Sequence, residues 1–224
     1  MAYAILFIFG AIIGSFLNVV ALRFDSRNFG GRSKCPSCSK TLKWFELIPI
    51  LSFVVQGSKC RSCKAKISYQ YPLIEILTGL IFVTVPLWML PVFCIYIVIL
   101  IYDFYHKIIP DLLVYLAIIL SLILGRHLLA GIIIFMFFAA IWLLSRGRAM
   151  GFGDAKLGAS VGFLLGAALG FSAIVMAFWI GAVVGLFLML RKRLTIKAEI
   201  PFAPFIILGA WISLIFELDL LHVI

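Results

Sequence analysis

Polar residues are sparse along this chain, and they separate apolar runs of 15 to 22 residues. Runs of that length suit helices that cross, or nearly cross, a hydrocarbon core about 30 Å thick. The pattern predicts eight spans, at about 4–22, 72–88, 90–105, 111–126, 128–144, 156–170, 172–190 and 202–220. Pro86 and Pro91 bracket one turn and Gly125-Arg126-His127 marks another. Gly170 is expected to split an apolar run of about 35 residues into a hairpin. The first run lacks a basic leader region and a cleavage site, so it reads as a retained span. Only 23–71 reads as soluble, and no internal repeat is expected. Gly158, Ala159, Gly162, Gly166, Ala167, Ala168, Gly181, Ala182 and Gly185 predict close helix packing within the bilayer.

Composition agrees with this picture. With 65% hydrophobic and 12% charged residues and a mean hydropathy of +1.22, the 224 residues do not form an ordinary soluble domain. The expected fold is all-α, a polytopic membrane helical bundle of about eight transmembrane helices with a small cysteine-bearing loop. Its parts are a first transmembrane helix at 1–22, a cysteine loop at 23–71 and a helical bundle at 72–224.

The net charge of +10 changes the picture only through its distribution. Ten of the 19 Lys/Arg lie between Arg23 and Lys66. Lys107, Arg146, Arg148, Lys156, Arg191, Lys192, Arg193 and Lys197 join them on one face if there are eight spans, leaving Arg126 on the other. That asymmetry is the positive-inside pattern and assigns the basic face to the cytoplasm. The charge serves topology and attraction to anionic lipid, so the lipid bilayer is an expected partner and nucleic acid is not.

The soluble segment carries Cys35-Pro36-Ser37-Cys38 and Cys60-Arg61-Ser62-Cys63, 21 residues apart. Two such pairs match a four-thiolate tetrahedral zinc site, with Cys35, Cys38, Cys60 and Cys63 as ligands. A site closed by four protein ligands is structural, because no coordination position remains for chemistry. A cytoplasmic location disfavours the alternative of two disulfides.

Acidic residues within an apolar chain are costly and usually functional. Asp103 lies near the end of its span, and Asp154 follows Gly151-Phe152-Gly153, where a polar stretch meets an apolar one. Two carboxyls held close cannot both stay ionised, so one can deprotonate water while the other protonates a leaving amine. The pair is therefore a candidate for peptide hydrolysis, supported by Gly151, Gly153 and Lys156. A helix cap is the competing reading for Asp154, and it explains Asp111, which follows Pro110 and opens a span. Glu75 reads as a buried structural group. His106, His127 and His222 show no triad or metal pattern, and Cys94 reads as packing.

These residues together resemble the bacterial type IV prepilin peptidases, the GxGD-type membrane aspartic proteases. The resemblance runs from Gly14-Ser15-Phe16-Leu17-Asn18-Val19-Val20 and Arg23 through the cysteine pairs, which enclose Trp44-Phe45-Glu46-Leu47-Ile48-Pro49. It continues in Tyr71-Pro72-Leu73-Ile74-Glu75, Asp103 with Ile109-Pro110-Asp111, Gly151 to Leu157, and Pro201-Phe202-Ala203-Pro204-Phe205. The 51 positions between the aspartates are fewer than expected for such proteins, and Phe24-Asp25 stands where Leu-Pro is common.

The resemblance implies an endopeptidase that removes the basic leader of type IV prepilins and pseudopilins at the cytoplasmic face of the bacterial inner membrane. It also implies N-methylation of the new terminus using S-adenosylmethionine. Asp103 and Asp154 then carry over as the catalytic pair and the four cysteines as zinc ligands of the region associated with methylation. No sequence pattern assigns the residues that hold the methyl donor. An ion-coupled transporter or a non-catalytic zinc scaffold fits less well, because inverted repeats and midplane charges are absent from the pattern.

Overall fold

The computed structural model describes residues 1–25, 30–191 and 200–220. Arg27, Lys192, Arg193 and Lys197 of the basic set, and His222, lie outside them. The helices are α1 (Ala2–Leu22), α2 (Leu51–Val55), α3 (Gln70–Thr84), α4 (Leu90–His106), α5 (Asp111–Gly125), α6 (Leu128–Leu144), α7 (Phe152–Leu190) and α8 (Ala203–Ile215). Among the described residues there is no strand, only the isolated bridges Lys34–Thr41 and Lys59–Lys66. Three helical stretches, Ala2–Leu22, Leu87–His106 and Phe152–Leu190, are long and apolar enough to cross a membrane. The helices Gln70–Thr84, Asp111–Gly125, Leu128–Leu144 and Ala203–Ile215 are apolar but shorter.

The 39 residues of α7 are not one rod. Gly166 has φ 82° and ψ −173°, outside the helical region and accessible mainly to glycine. A Cβ built on Gly170 would lie 3.4 Å from the Cα of Gly162, whereas eight residues of straight helix span about 12 Å. The chain therefore reverses at Gly166, not at Gly170 as the sequence suggested. Gly170 is instead a packing position inside the hairpin. With this reversal, α7 supplies two of the eight apolar helical segments of ten or more residues among the described residues.

The chain divides into two compact units, Met1–Thr84 and Val85–Ile224. In the first, α1 packs on α3 through glycines. A Cβ on Gly10 would press on Phe82, one on Gly14 on Thr78, and one on Gly79 on Phe7. Buried Asn18 accepts a 3.2 Å hydrogen bond from the Gln70 side chain, which adds a polar tie between the same helices.

In the second unit, α7 packs against α5, α6 and α8. Gly158 faces Phe138, Gly162 faces Gly131, and Gly209 faces the backbone of Ala173. Gly158 and Gly162 of α7 thus serve helix packing, as expected, whereas Gly166 forms the reversal and Ala167 and Ala182 are exposed. At the core, the Ser160 hydroxyl lies 2.9 Å from both the Tyr96 hydroxyl and the Ser121 hydroxyl. This network joins α7 to α4 and α5, and such bonds contribute roughly 0.6–2 kcal/mol each in an apolar bundle. The outer faces carry exposed Leu129, Ile133, Leu144, Trp179 and Leu186, an apolar exterior that suits lipid.

The connections of this unit meet at its ends. The His127 N–H donates to the Phe163 carbonyl at 3.4 Å, and the His127 ring sits beside Gly166. At the other end, Ile109 lies against Gly153.

Candidate active site and metal centre

The cysteine segment is built from two copies of one small motif. The Cys35 N–H donates to the Lys40 carbonyl at 3.0 Å, Ser39 to Cys35 at 2.9 Å and Leu42 to Ser33 at 2.9 Å. Twenty-five positions later, Cys60 donates to Ala65 at 2.8 Å, Lys64 to Cys60 at 3.0 Å and Ile67 to Ser58 at 2.8 Å. Ser39 and Lys64 share positive φ values of 56° and 60°. The expectation of no internal repeat is therefore corrected. Its trace is Lys34-Cys35-Pro36-Ser37-Cys38 against Lys59-Cys60-Arg61-Ser62-Cys63, too short for a periodicity reading to detect.

The two turns bring the four sulfurs within 4.8 Å of one another. Cys35 and Cys63 lie 3.8 Å apart, and a tetrahedron with metal–sulfur bonds of about 2.3 Å has edges of about 3.8 Å. The cluster can thus hold a zinc ion. The backbone favours thiolates at Cys60 and Cys35. The N–H groups of Cys63 and Ser62 lower the Cys60 pKa from 9.0 to about 6, and those of Cys38 and Ser37 lower that of Cys35. Cys63 receives the Ala65 N–H, but desolvation and the neighbouring sulfurs push it up to about 11. Cys94 stands apart, on α4.

The loop between the turns is braced by buried Glu46, which accepts the Lys43 N–H at 2.8 Å and pairs with Lys40 at 3.6 Å. The Lys43 N–H, followed by Lys40 and Arg61, holds the Glu46 carboxyl below its ordinary value against desolvation. Arg61 also lies 5.0 Å above the Phe45 ring. Glu75 of α3 accepts the Ile50 N–H at 2.7 Å and interacts with the Ser15 side chain. Glu75 is thus a structural tie, as the sequence suggested, fixing Ile50 at φ 61°.

The aspartates occupy the second unit. Asp103 lies in the last turn of α4, which ends at Lys107 in a left-handed conformation. Asp154 lies in the first turn of α7. Both are buried, at 4% and 8% exposure, and the charge of Asp103 acts on Asp154, so the fold makes them electrostatic neighbours. The N-cap position is Gly151, and Asp154 contributes to the cap from the third helical position, its carboxylate reaching back to accept the Gly151 N–H at 3.1 Å. Asp111 is not a cap. Pro110 precedes the helix, and Asp111 is its first residue, paired with Lys156.

One contributor was missed from sequence. The backbone N–H of Ala203, the first residue of α8, is directed at the Asp103 carboxylate. Pro204 sits just inside that helix start, where a missing N–H costs little. The positive end of α8 therefore faces one acid, and the first turn of α7 carries the other. The other oxygen of Asp103, Oδ2, is buried with no hydrogen-bond partner among the described residues.

The two glycines differ in role. A Cβ on Gly153 would lie 3.0 Å from the Ile109 Cβ, so this glycine admits Ile109 rather than substrate. A Cβ on Gly151 would meet Asp154 Oδ2, at 3.5 Å, and the Gly153 N, at 4.0 Å, both at ordinary contact distance. Gly151 thus leaves an approach to that carboxylate open.

Two family models divide the chain. The Bacterial Peptidase A24 N-terminal domain matches residues 8–89, and the Type IV leader peptidase family matches residues 88–188. A Bacillus subtilis prepilin leader peptidase/N-methyltransferase is 34% identical, covering 95% of this chain and 94% of the relative. The chain belongs to the type IV leader peptidase family. Family relatives of the same name from Aeromonas salmonicida and Pseudomonas aeruginosa are each 27% identical, covering 95% and 92% of this chain and 90% and 87% of theirs. No solved structure matches. Membership makes this chain a membrane-embedded aspartic peptidase by class, and the boundary between the two family models, at 88–89, lies near the boundary between the structural units.

Proposed function

We propose that the chain cleaves the leader of type IV prepilins and pseudopilins with Asp103 and Asp154 as its catalytic pair, and N-methylates the product. The observation that carries this reading is the pairing of two buried carboxylates from α4 and α7, with one Asp103 oxygen free of partners among the described residues. With one proton shared between them, the ionised carboxyl takes a proton from water as it attacks the scissile carbonyl. The protonated one gives its proton to the leaving amine. A helical substrate must unwind first, because its peptide groups are internally bonded. The space beside Gly151 gives the extended backbone an approach.

Family membership supports a bacterial inner-membrane location, and the charge pattern supports having the 23–71 loop and the aspartates on the cytoplasmic side. Zinc on Cys35, Cys38, Cys60 and Cys63 would act as a structural cross-link. S-adenosylmethionine would supply the methyl group. A groove of about 620 Å³, lined by Arg32, Lys43 and Trp44, is of a size to receive such a donor. Trp44 is 78% exposed, which leaves its ring available to stack on adenine. Phe45 and Tyr69 are engaged instead, by Arg61 and by Phe53.

Incubating purified protein with a prepilin and S-adenosylmethionine in detergent tests the reading. Mass spectra should show cleaved, methylated product. The Asn variant of either aspartate should leave the precursor intact. Unmethylated product from the intact protein would reduce the activity to that of a peptidase.

A further inference from the structure

Lys156 follows Asp154 by two positions on α7, yet among the described residues its one ion pair is with Asp111. Its Nζ lies 2.5 Å from Asp111 Oδ1, 4.7 Å from the centroid of the Tyr115 ring and 5.4 Å from that of Phe152. The Lys156 side chain is only 14% exposed, whereas that of Asp111 is 70% exposed. The aliphatic stem of Lys156 is packed, while its ammonium reaches an exposed carboxylate beside two aromatic faces, which hold it in one place. The Phe152 ring is itself held, 5.1 Å from Trp142 and 5.9 Å from Phe135.

The consequence lies in what these groups join. Asp111 and Tyr115 belong to the first turns of α5, and Phe152 and Lys156 to the first turns of α7. The same seam is closed again at Ile109, which fills the space left by Gly153. Asp154 is thus bracketed, with an apolar contact one residue before it and an ion pair two residues after it. We propose that Lys156 and Asp111 form a positioning pair that fixes the first turn of α7, and with it the reach of Asp154 toward Asp103. This rests on the reading of Asp103 and Asp154 as the catalytic pair. It gives Asp111 a role other than a cap, and it gives Lys156 a role without contact to the substrate.

Steady-state cleavage of a prepilin by single and double variants tests the pair. A displacement of about 1 Å at a catalytic group can lower the rate about 100-fold. Lys156→Met keeps the aliphatic stem and removes the cation. It should lower kcat about 10- to 100-fold while KM stays within about twofold. Asp111→Asn should lower kcat less, and the double variant should be no slower than Lys156→Met, because both remove one interaction. Lys156→Arg, which restores the ion pair and can stack on Tyr115, should recover most of the rate.

A packing role would make Met as good as Arg, and that result overturns the proposal. So do a wild-type kcat for Lys156→Met and independent, multiplicative losses in the double variant. If Lys156→Met does not assemble, the order Lys156→Arg above Asp111→Asn, at unchanged KM, carries the same decision. An inactive Asp154→Asn beside a fully active Lys156→Met removes the positioning role alone. An active Asp154→Asn removes the catalytic pair, and the positioning role with it.

Discussion

The cysteine cluster and the aspartate pair are assembled in opposite ways. All four sulfurs come from residues 35–63, set by two short turns that repeat the same backbone hydrogen bonds. The two carboxylates lie 51 positions apart, at the end of one helix and the start of another. A third helix aims an N–H at one of them. The first site depends on local backbone and on the metal it would bind. The second depends on every interface that fixes α4, α7 and α8 relative to one another. Local construction suits a closed structural centre. Construction from helix ends suits a reactive one, because buried carboxylates can be left incompletely satisfied at a place the chain would not expose by itself.

The sharpest break in this comparison comes from charge removal at the aspartates. Asp103→Asn and Asp154→Asn should each lower prepilin cleavage by about 10³-fold or more while zinc content stays unchanged, because a neutral amide cannot act as the base. Metal analysis and cleavage assays on the same preparations check this. A variant that keeps a tenth of the activity would end the assignment.

The converse perturbation is replacement of Cys35 and Cys38, or of Cys60 and Cys63, by Ser. Bound zinc should fall from about one per chain to none, and the loop should become protease-sensitive. Methylation should fall more than about tenfold while cleavage changes less than about threefold. Equal losses would mean that the cysteine loop serves the peptidase as well.

Helix packing gives a smaller effect, confined to the aspartate unit. A Cβ at Gly209 would press on the Ala173 carbonyl and come within 3.0 Å of the Ala177 N. Gly209→Ala should therefore push α8 from α7, lower stability by about 1–3 kcal/mol and slow cleavage without loss of zinc. A thermal melt indistinguishable from wild type would show that the seam yields freely.

The smallest effect belongs to Glu46. Its carboxyl is held below the ordinary value of 4.5 by the Lys43 N–H, so its contribution is complete above about pH 4.5 and is lost as the pH falls through the lowered value. The stability difference between wild type and Glu46→Gln should be constant near neutrality and shrink toward pH 3. A difference that grows on acidification would contradict the sign.

Much of this architecture was legible because the bilayer limits the choices. Apolar runs separated by basic connections led to a bundle of eight apolar segments, and the span 128–144 coincides with α6. Gly166 escaped because it lies inside a run rich in Gly and Ala, where Gly162, Gly166 and Gly170 look alike. Only the backbone conformation separates the turn from its packing neighbours. Asp111 was misread because its explanation, Lys156, lies 45 positions away.

The sequence by itself determined that the chain is a membrane helical bundle, that four cysteines form one cluster, and that Asp103 and Asp154 are its notable acids. Those conclusions follow from local rules, namely run length, ligand spacing and the cost of charge in an apolar segment. The tertiary structure alone decided where α7 reverses, that the α8 N-terminus faces Asp103, and that Asp111 binds Lys156. These are contacts between distant helices, chosen by how small and large side chains interlock across a seam, and no local pattern carries that information.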